Sequence, residues 1–163
     1  MSKIRFTEPN REILARRDSI INDLTRLVDP AGLITSTDEC RAYETDALTA
    51  YRKMPLAVVL PKTTEEVSAV LKYCHDTGVK VVPRGAGTSL AGGAIPSEDA
   101  VVLGLSKMNR VLAVNYDDRF IRVEAGVTNL SVTAVVAENG FFYAPDPSSQ
   151  LACTIGGNIA NNS

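Results

Sequence analysis

The sequence predicts an α+β protein whose first half is α/β. Three observations carry this. Leu56-Ala57-Val58-Val59-Leu60, Val79-Lys80-Val81-Val82 and Val101-Val102-Leu103-Gly104-Leu105 are short, largely apolar runs, the pattern of strands buried in a small parallel sheet. A capped amphipathic helix separates the first two. After about Met108 the runs give way to alternation across a charged turn, which signals a hairpin. The expected organisation is an N-terminal helix and irregular lead-in over residues 1–50, a parallel subdomain over 51–107, and an incomplete, partly antiparallel second subdomain over 108–163.

Each element has a local reason. Between residues 9 and 28, Ile13, Leu14, Ile20, Ile21, Leu24, Leu27 and Val28 fall on one face of a helix. Asp29-Pro30 stops it, because proline disfavours α geometry in the residue before it. Residues 33–55 have no clean period; Thr35-Ser36-Thr37-Asp38 reads as a turn and the remainder as an irregular connection. Thr63 and Glu66 have capping-box spacing. Val67, Val70, Leu71 and Cys74 follow as one helical stripe, and Gly78 stands where a helix closes in left-handed geometry. With its flanking strands this helix makes a β-α-β unit, expected to have parallel strands and a right-handed crossover. Val111-Leu112-Ala113-Val114 and Phe120-Ile121-Arg122-Val123-Glu124 flank Asp117-Asp118-Arg119 as a hairpin. Thr128 caps a further helix through Asn139 to Gly140.

The chain of 163 residues carries a net charge of −2, which argues against a nucleic-acid or polybasic membrane role. No apolar run reaches the ~20 residues of a spanning helix. Met1-Ser2-Lys3-Ile4-Arg5-Phe6 has no apolar core of signal-peptide length. Cys40, Cys74 and Cys153 are far apart and in no C-x-x-C arrangement, which argues against a disulfide framework or metal site. They read as buried hydrophobes in a reducing cytosol, so a cytoplasmic location is expected. The single histidine, His75, falls in the last turn of the predicted helix, as a solvated residue at the negative end of the dipole.

The stretch with most chemistry is Pro83-Arg84-Gly85-Ala86-Gly87-Thr88-Ser89-Leu90-Ala91-Gly92-Gly93, directly after a strand. Four glycines in nine positions remove side chains that would keep a ligand from the backbone. Successive N–H groups in such a loop form a nest for an anion, and Thr88 and Ser89 add hydroxyl donors. The Rossmann fingerprint fails, because Leu90 stands where its third glycine belongs. The Walker A loop fails, because Gly93 stands where its lysine belongs. A phosphate or pyrophosphate loop is the reading, with a ligand-free glycine turn as the bland alternative. Arg84 and Arg52 read as a phosphate contact or a surface salt bridge rather than as partners of a substrate carboxylate.

A second cluster, Pro145-Asp146-Pro147-Ser148-Ser149 with Cys153-Thr154-Ile155-Gly156-Gly157-Asn158, combines turn formers and small polar groups; a plain surface loop is its alternative. Three or four charge-assisted hydrogen bonds from the first loop contribute roughly 5–12 kcal/mol. Immobilising a ligand costs about 4–15 kcal/mol. One loop therefore holds a dinucleotide poorly, and a second segment closing over it makes the site credible.

These paired motifs resemble the PCMH-type FAD-binding domain of the vanillyl-alcohol oxidase superfamily, nearest to the glycolate oxidase D subunit and the D-lactate/D-2-hydroxyacid dehydrogenases. The segment from Tyr43 to Arg52 also resembles the lead-in of the glycolate oxidase type, and the resemblance runs from about Leu33 to Ser163. It implies FAD, with the pyrophosphate wrapped by the backbone of Gly85, Ala86, Gly87, Thr88 and Ser89, and with Pro83, Arg84, Leu90, Gly92 and Gly93 beside them in the cofactor site. It implies that Pro145, Asp146, Ser148, Ser149, Cys153, Thr154, Gly156, Gly157 and Asn158 line the flavin and its ribityl chain. Some relatives tether FAD through a histidine in or near these loops; neither motif has one, so non-covalent FAD is expected. The implied reaction oxidises a 2-hydroxy acid to a 2-oxo acid, with partner subunits or an electron acceptor completing it. The implied substrate-binding and catalytic groups belong to a later domain. The chain stops inside the second motif, so it reads as an amino-terminal piece, inactive alone. Two alternatives stay open: a non-catalytic α/β module, and a sugar-lactone or aryl-alcohol oxidase of the same superfamily.

Overall fold

The apolar stripe between residues 9 and 28 folds as two helices, not one. The computed structural model describes residues 6–162; residues 1–5, most of the stretch read for a leader, and Ser163 lie outside the described residues. Asn10 Oδ1 accepts the Glu12 N–H at 2.9 Å and caps α1 (Arg11–Ala15). The backbone leaves α geometry at Arg16 (φ −96°, ψ 8°) and resumes as α2 (Arg17–Leu24). Ile13, before the break, and Ile20, Leu24 and Val28, after it, all stay buried. Asp29 Oδ1 then accepts the Ala31 N–H at 2.8 Å and opens a 3₁₀ turn, Pro30–Gly32.

The connection after it is more ordered than its sequence predicts. β1 (Leu33–Ile34) pairs antiparallel with β2 (Ala57–Val59); two residues are too few for alternation to show. Ser36 caps α3 (Thr37–Cys40), which runs on as a 3₁₀ turn, Arg41–Tyr43. α4 (Thr64–Thr77) begins at Thr63, whose Oγ1 accepts the Glu66 N–H at 3.2 Å, and ends at Gly78 with φ 74°. Glu66 does not complete the capping box: its carboxylate takes the Lys62 N–H at 2.6 Å, one residue earlier than expected.

β3 (Lys80–Arg84) and β4 (Ala100–Gly104) complete a four-stranded sheet of order β1-β2-β4-β3. β2 and β3 are each parallel to β4, which lies between them, so the strands joined by α4 are not neighbours. Ala57, Val59, Val101 and Leu103 share one core cluster with Ile20, Leu24, Val70 and Cys74 of the helices. Val58 and Val102 belong to a second cluster with Cys40, Tyr43 and Met54 of the lead-in. Both sheet faces are thus covered, which is why the strands read as continuous apolar runs.

The second half begins with a hairpin of β5 (Val111–Asn115) and β6 (Phe120–Val123), antiparallel with a bulge between Val111 and Ala113. Thr128 caps α5 (Asn129–Val136), a 3₁₀ turn follows over Ala137–Asn139, and Gly140 closes it as expected. The segment after Cys153, expected to be a turn cluster, is largely helical: α6 (Ile155–Ala160), with Thr154 Oγ1 accepting the Gly157 N–H at 3.2 Å. All three cysteines are buried and free. Burial pushes the Cys74 thiol up to about 11, the behaviour of an inert packing group.

Candidate functional site

The glycine-rich loop leaves the sheet at the end of β3, beside the end of β4, where the Leu105 N–H donates to Arg84 O at 3.0 Å. Open α/β sheets bind ligands at this carboxyl edge. The second motif reaches the same edge through the connection after β6. The Ile155 N–H donates to Val127 O and the Gly156 N–H to Ala125 O, each at 2.9 Å. Thr128 and Thr154 form an isolated antiparallel bridge. The two motifs touch at Gly85: a Cβ there would lie 2.6 Å from Thr154 Oγ1 and 3.9 Å from Gly157 N. This contact joins segments some seventy residues apart in sequence.

Between them lies a cavity of about 660 Å³. From the first motif Pro83, Arg84, Gly85, Ala86, Gly87, Thr88, Ser89 and Gly93 line it. From the second, Ser149, Cys153, Thr154, Gly156, Gly157 and Asn158 line it. Five expected residues do not. Leu90 projects into solvent, 73% exposed. Gly92 turns the chain toward Ile95, whose N–H donates to Gly92 O at 3.2 Å. Pro145 serves structure, its carbonyl accepting from Asn129 Nδ2 at 3.1 Å. Asp146 and Ser148 are exposed away from the lining. Sequence reasoning missed Ala94, Leu105 and Ala125, and left Pro147, Ala160 and Asn161, which lie in or beside its second motif, out of its site residues. Leu105 could have been found, since it follows β4 as Gly85 follows β3. Ala125 carries no local signal.

The cavity is lined by small residues, and Arg84 is the one charged residue among those lining it. Burial lowers the Arg84 pKa, partly offset by Tyr43 and Asp46. Its guanidinium Nη1 donates to Thr45 O at 2.6 Å, and its Cζ lies 5.5 Å from the Tyr43 ring centroid. Arg52 instead makes a surface ion pair with Glu44 at 3.1 Å. No cluster of three or more His, Cys, Asp or Glu side chains suited to a metal occurs among the described residues. His75 lies in the last turn of α4, exposed, and does not line the cavity. The chemistry offered is therefore recognition by backbone amides and hydroxyls in a cleft of small-molecule cofactor size. The glycine cradle, which one added Cβ at Gly85 would obstruct, fits a pyrophosphate approached by main chain.

The comparisons agree with this geometry. The FAD binding domain family matches residues 55–163. The glycolate oxidase subunit GlcD of Escherichia coli (strain K12) is 47% identical over 146 residues, 90% of this chain and 29% of that protein. The D-2-hydroxyglutarate dehydrogenase of Xanthomonas citri is 36% identical over 145 residues, 89% of this chain and 31% of that protein. The chain thus spans about three-tenths of the length of these curated relatives. Among solved structures, an alkyldihydroxyacetonephosphate synthase superposes with TM-score 0.80 at 21% identity, over 96% of this chain and 30% of that one. A substrate-bound p-cresol methylhydroxylase superposes with TM-score 0.75 at 22% identity, over 94% of this chain and 30% of that one. These two likenesses show the fold. With more than half of its residues matched, the chain belongs to the FAD binding domain family.

Proposed function

We propose that this chain is the FAD-binding portion of a 2-hydroxyacid oxidoreductase of the glycolate or D-lactate type. The observation that carries it is the cavity shared by two glycine-bearing motifs that meet at Gly85 and Thr154. In this reading the amides of Gly85, Ala86, Gly87, Thr88 and Ser89 cradle the pyrophosphate. Ser149, Cys153, Thr154, Gly156, Gly157 and Asn158 flank the flavin end. Pro83 and Gly93 shape the rims, and Leu90, Gly92, Pro145, Asp146 and Ser148 support the loops. FAD, when bound, supplies the two-electron acceptor for hydride leaving C2 of the hydroxy acid. The hydroxyl proton leaves as well, and a 2-oxo acid results. The residues described here bind, orient and exclude water.

Non-covalent FAD belongs to the same reading, supported by the lack of a histidine among the described residues that line the cavity. The family names of the relatives, glycolate oxidase subunit and D-2-hydroxyglutarate dehydrogenase, support a small 2-hydroxy acid substrate and partner subunits. The division into residues 1–50, 51–107 and 108–163 belongs to the same reading. A cytoplasmic location does too, supported by the free buried cysteines. No helix among the described residues is long and apolar enough to cross a membrane.

The test is to purify the full-length protein, record its visible spectrum, and assay a panel of 2-hydroxy acids with an artificial electron acceptor. Bound flavin released on denaturation, and reduction by one member of the panel, are expected. A colourless protein that gains no flavin on reconstitution rules the reading out.

A further inference from the structure

The geometry points to Arg84 as a positioning residue, clamped by Tyr43 and Thr45 in the field of the buried Asp46, so that it fixes Gly87 of the anion-binding loop. This rests on the FAD-binding reading above. The supports for it lie outside the cavity lining, in the connection whose periodicity gave it no role. The segment is closed on itself: the Lys53 N–H donates to Glu44 O at 2.8 Å and Thr45 Oγ1 to Tyr51 O at 2.9 Å. From this base it grips the glycine loop twice. Thr45 O takes the Arg84 guanidinium at 2.6 Å, and the Ala47 N–H donates to Gly87 O at 2.9 Å.

Arg84 in turn lies against Gly87. A Cβ built on Gly87 would collide with the guanidinium, lying 2.6 Å from its Cζ. The guanidinium sits over the Tyr43 ring, its Cζ 5.5 Å from the centroid, an arrangement favoured by the ring quadrupole. Asp46 supplies the opposite charge. It is 4% exposed, its Oδ1 accepts the Leu48 N–H at 2.9 Å, and its Oδ2 has no hydrogen-bond partner among the described residues. A buried carboxylate in that state needs a compensating cation, and its field favours the charged guanidinium of Arg84. Two contacts on one planar cation, with the Asp46 charge nearby, hold the loop in one geometry before any ligand arrives. Such preorganisation reduces the ordering cost of binding.

The Ala47 amide reports the clamp directly, because its hydrogen bond ends on Gly87. Two variants separate the possibilities. Arg84→Lys keeps a charge but loses the fork and the flat face. Asp46→Asn keeps the acceptor for Leu48, and Asp46 does not line the cavity. Amide hydrogen exchange is measured on ligand-free protein, and FAD affinity by titration. Both variants are expected to exchange Ala47 about tenfold faster than wild type. Both are expected to bind FAD about tenfold more weakly, with circular dichroism and thermal midpoint close to wild type. Wild-type exchange at Ala47 in both variants overturns the proposal. So does weaker binding in Arg84→Lys alone, which makes Arg84 a direct phosphate contact. If wild-type protein binds no FAD, the functional reading fails by itself, and the exchange rates still decide whether the clamp exists.

Discussion

A single methyl group at Gly85 would stand 2.6 Å from the Thr154 hydroxyl. That hydroxyl also caps α6 through the Gly157 N–H, so it cannot rotate away without losing the cap. Gly85→Ala is expected to cost about 1 kcal/mol of stability and to weaken FAD binding about tenfold; urea unfolding and titration check it, and a variant with wild-type affinity refutes the contact. Asp99 gives a second prediction at this scale. It is 1% exposed and takes Lys80 Nζ at 2.8 Å, Ser97 Oγ at 2.7 Å and the Asn10 N–H at 2.9 Å. Burial raises its pKa, but these donors outweigh burial and hold the carboxyl down to about 2. The unfolded carboxyl titrates near about 3.9. The ionised form therefore stabilises the fold fully above that value, and the contribution disappears as pH falls through about 2. Wild type is expected to exceed Asp99→Asn by about 2–3 kcal/mol at pH 7, with the gap closing toward pH 2. A gap that stays constant across a urea series at several pH values sinks this account. The glycines of the first loop were legible, because their spacing is a local property. The role of Asp99 was not, because two of its three donors, Asn10 and Lys80, come from distant segments of chain.

Elements with a strong period and caps of their own were predicted well. α4 is the clearest: Thr63 caps it, Val70 and Cys74 of its stripe are buried and Gly78 ends it, although Leu71 of the same stripe is 45% exposed. Thr63→Ala is expected to lower stability by about 1 kcal/mol by removing the acceptor for the Glu66 N–H, measured by urea unfolding; no change means water replaces the cap without loss. The N-terminal stripe predicted one helix and gave two, because periodicity records which face is buried and not whether the backbone is continuous at Arg16. β1 was missed because pairing with β2, not its own two residues, makes it a strand. α6 was missed because Gly156, Gly157 and Asn158 disfavour a helix in isolation. It forms where Thr154 caps it and Ala125 and Val127 accept its first N–H groups.

At the scale of the molecule, the cavity exists because the four-stranded sheet and the second half meet along one seam. Gly126 sits in that seam, its N–H donating to Met108 O at 2.8 Å. A Cβ there would collide with Leu105 O and lie 2.7 Å from Met108 O. Both neighbours are backbone and cannot rotate away. Gly126→Ala is therefore expected to destabilise the protein by about 1–3 kcal/mol and to reduce flavin retention, although Gly126 does not line the cavity. Thermal unfolding and flavin content of the purified variant check it; wild-type values in both would show that the seam does not govern the site.

The sequence by itself determined the parallel strands, the capped helices, the hairpin and the two ligand-type motifs, because each depends on residues within a few positions of one another. Only the tertiary structure decided which motif residues share the cavity, how the lead-in grips Arg84, and that β4 lies between β2 and β3. Those outcomes depend on contacts between distant segments, and no local spacing encodes them.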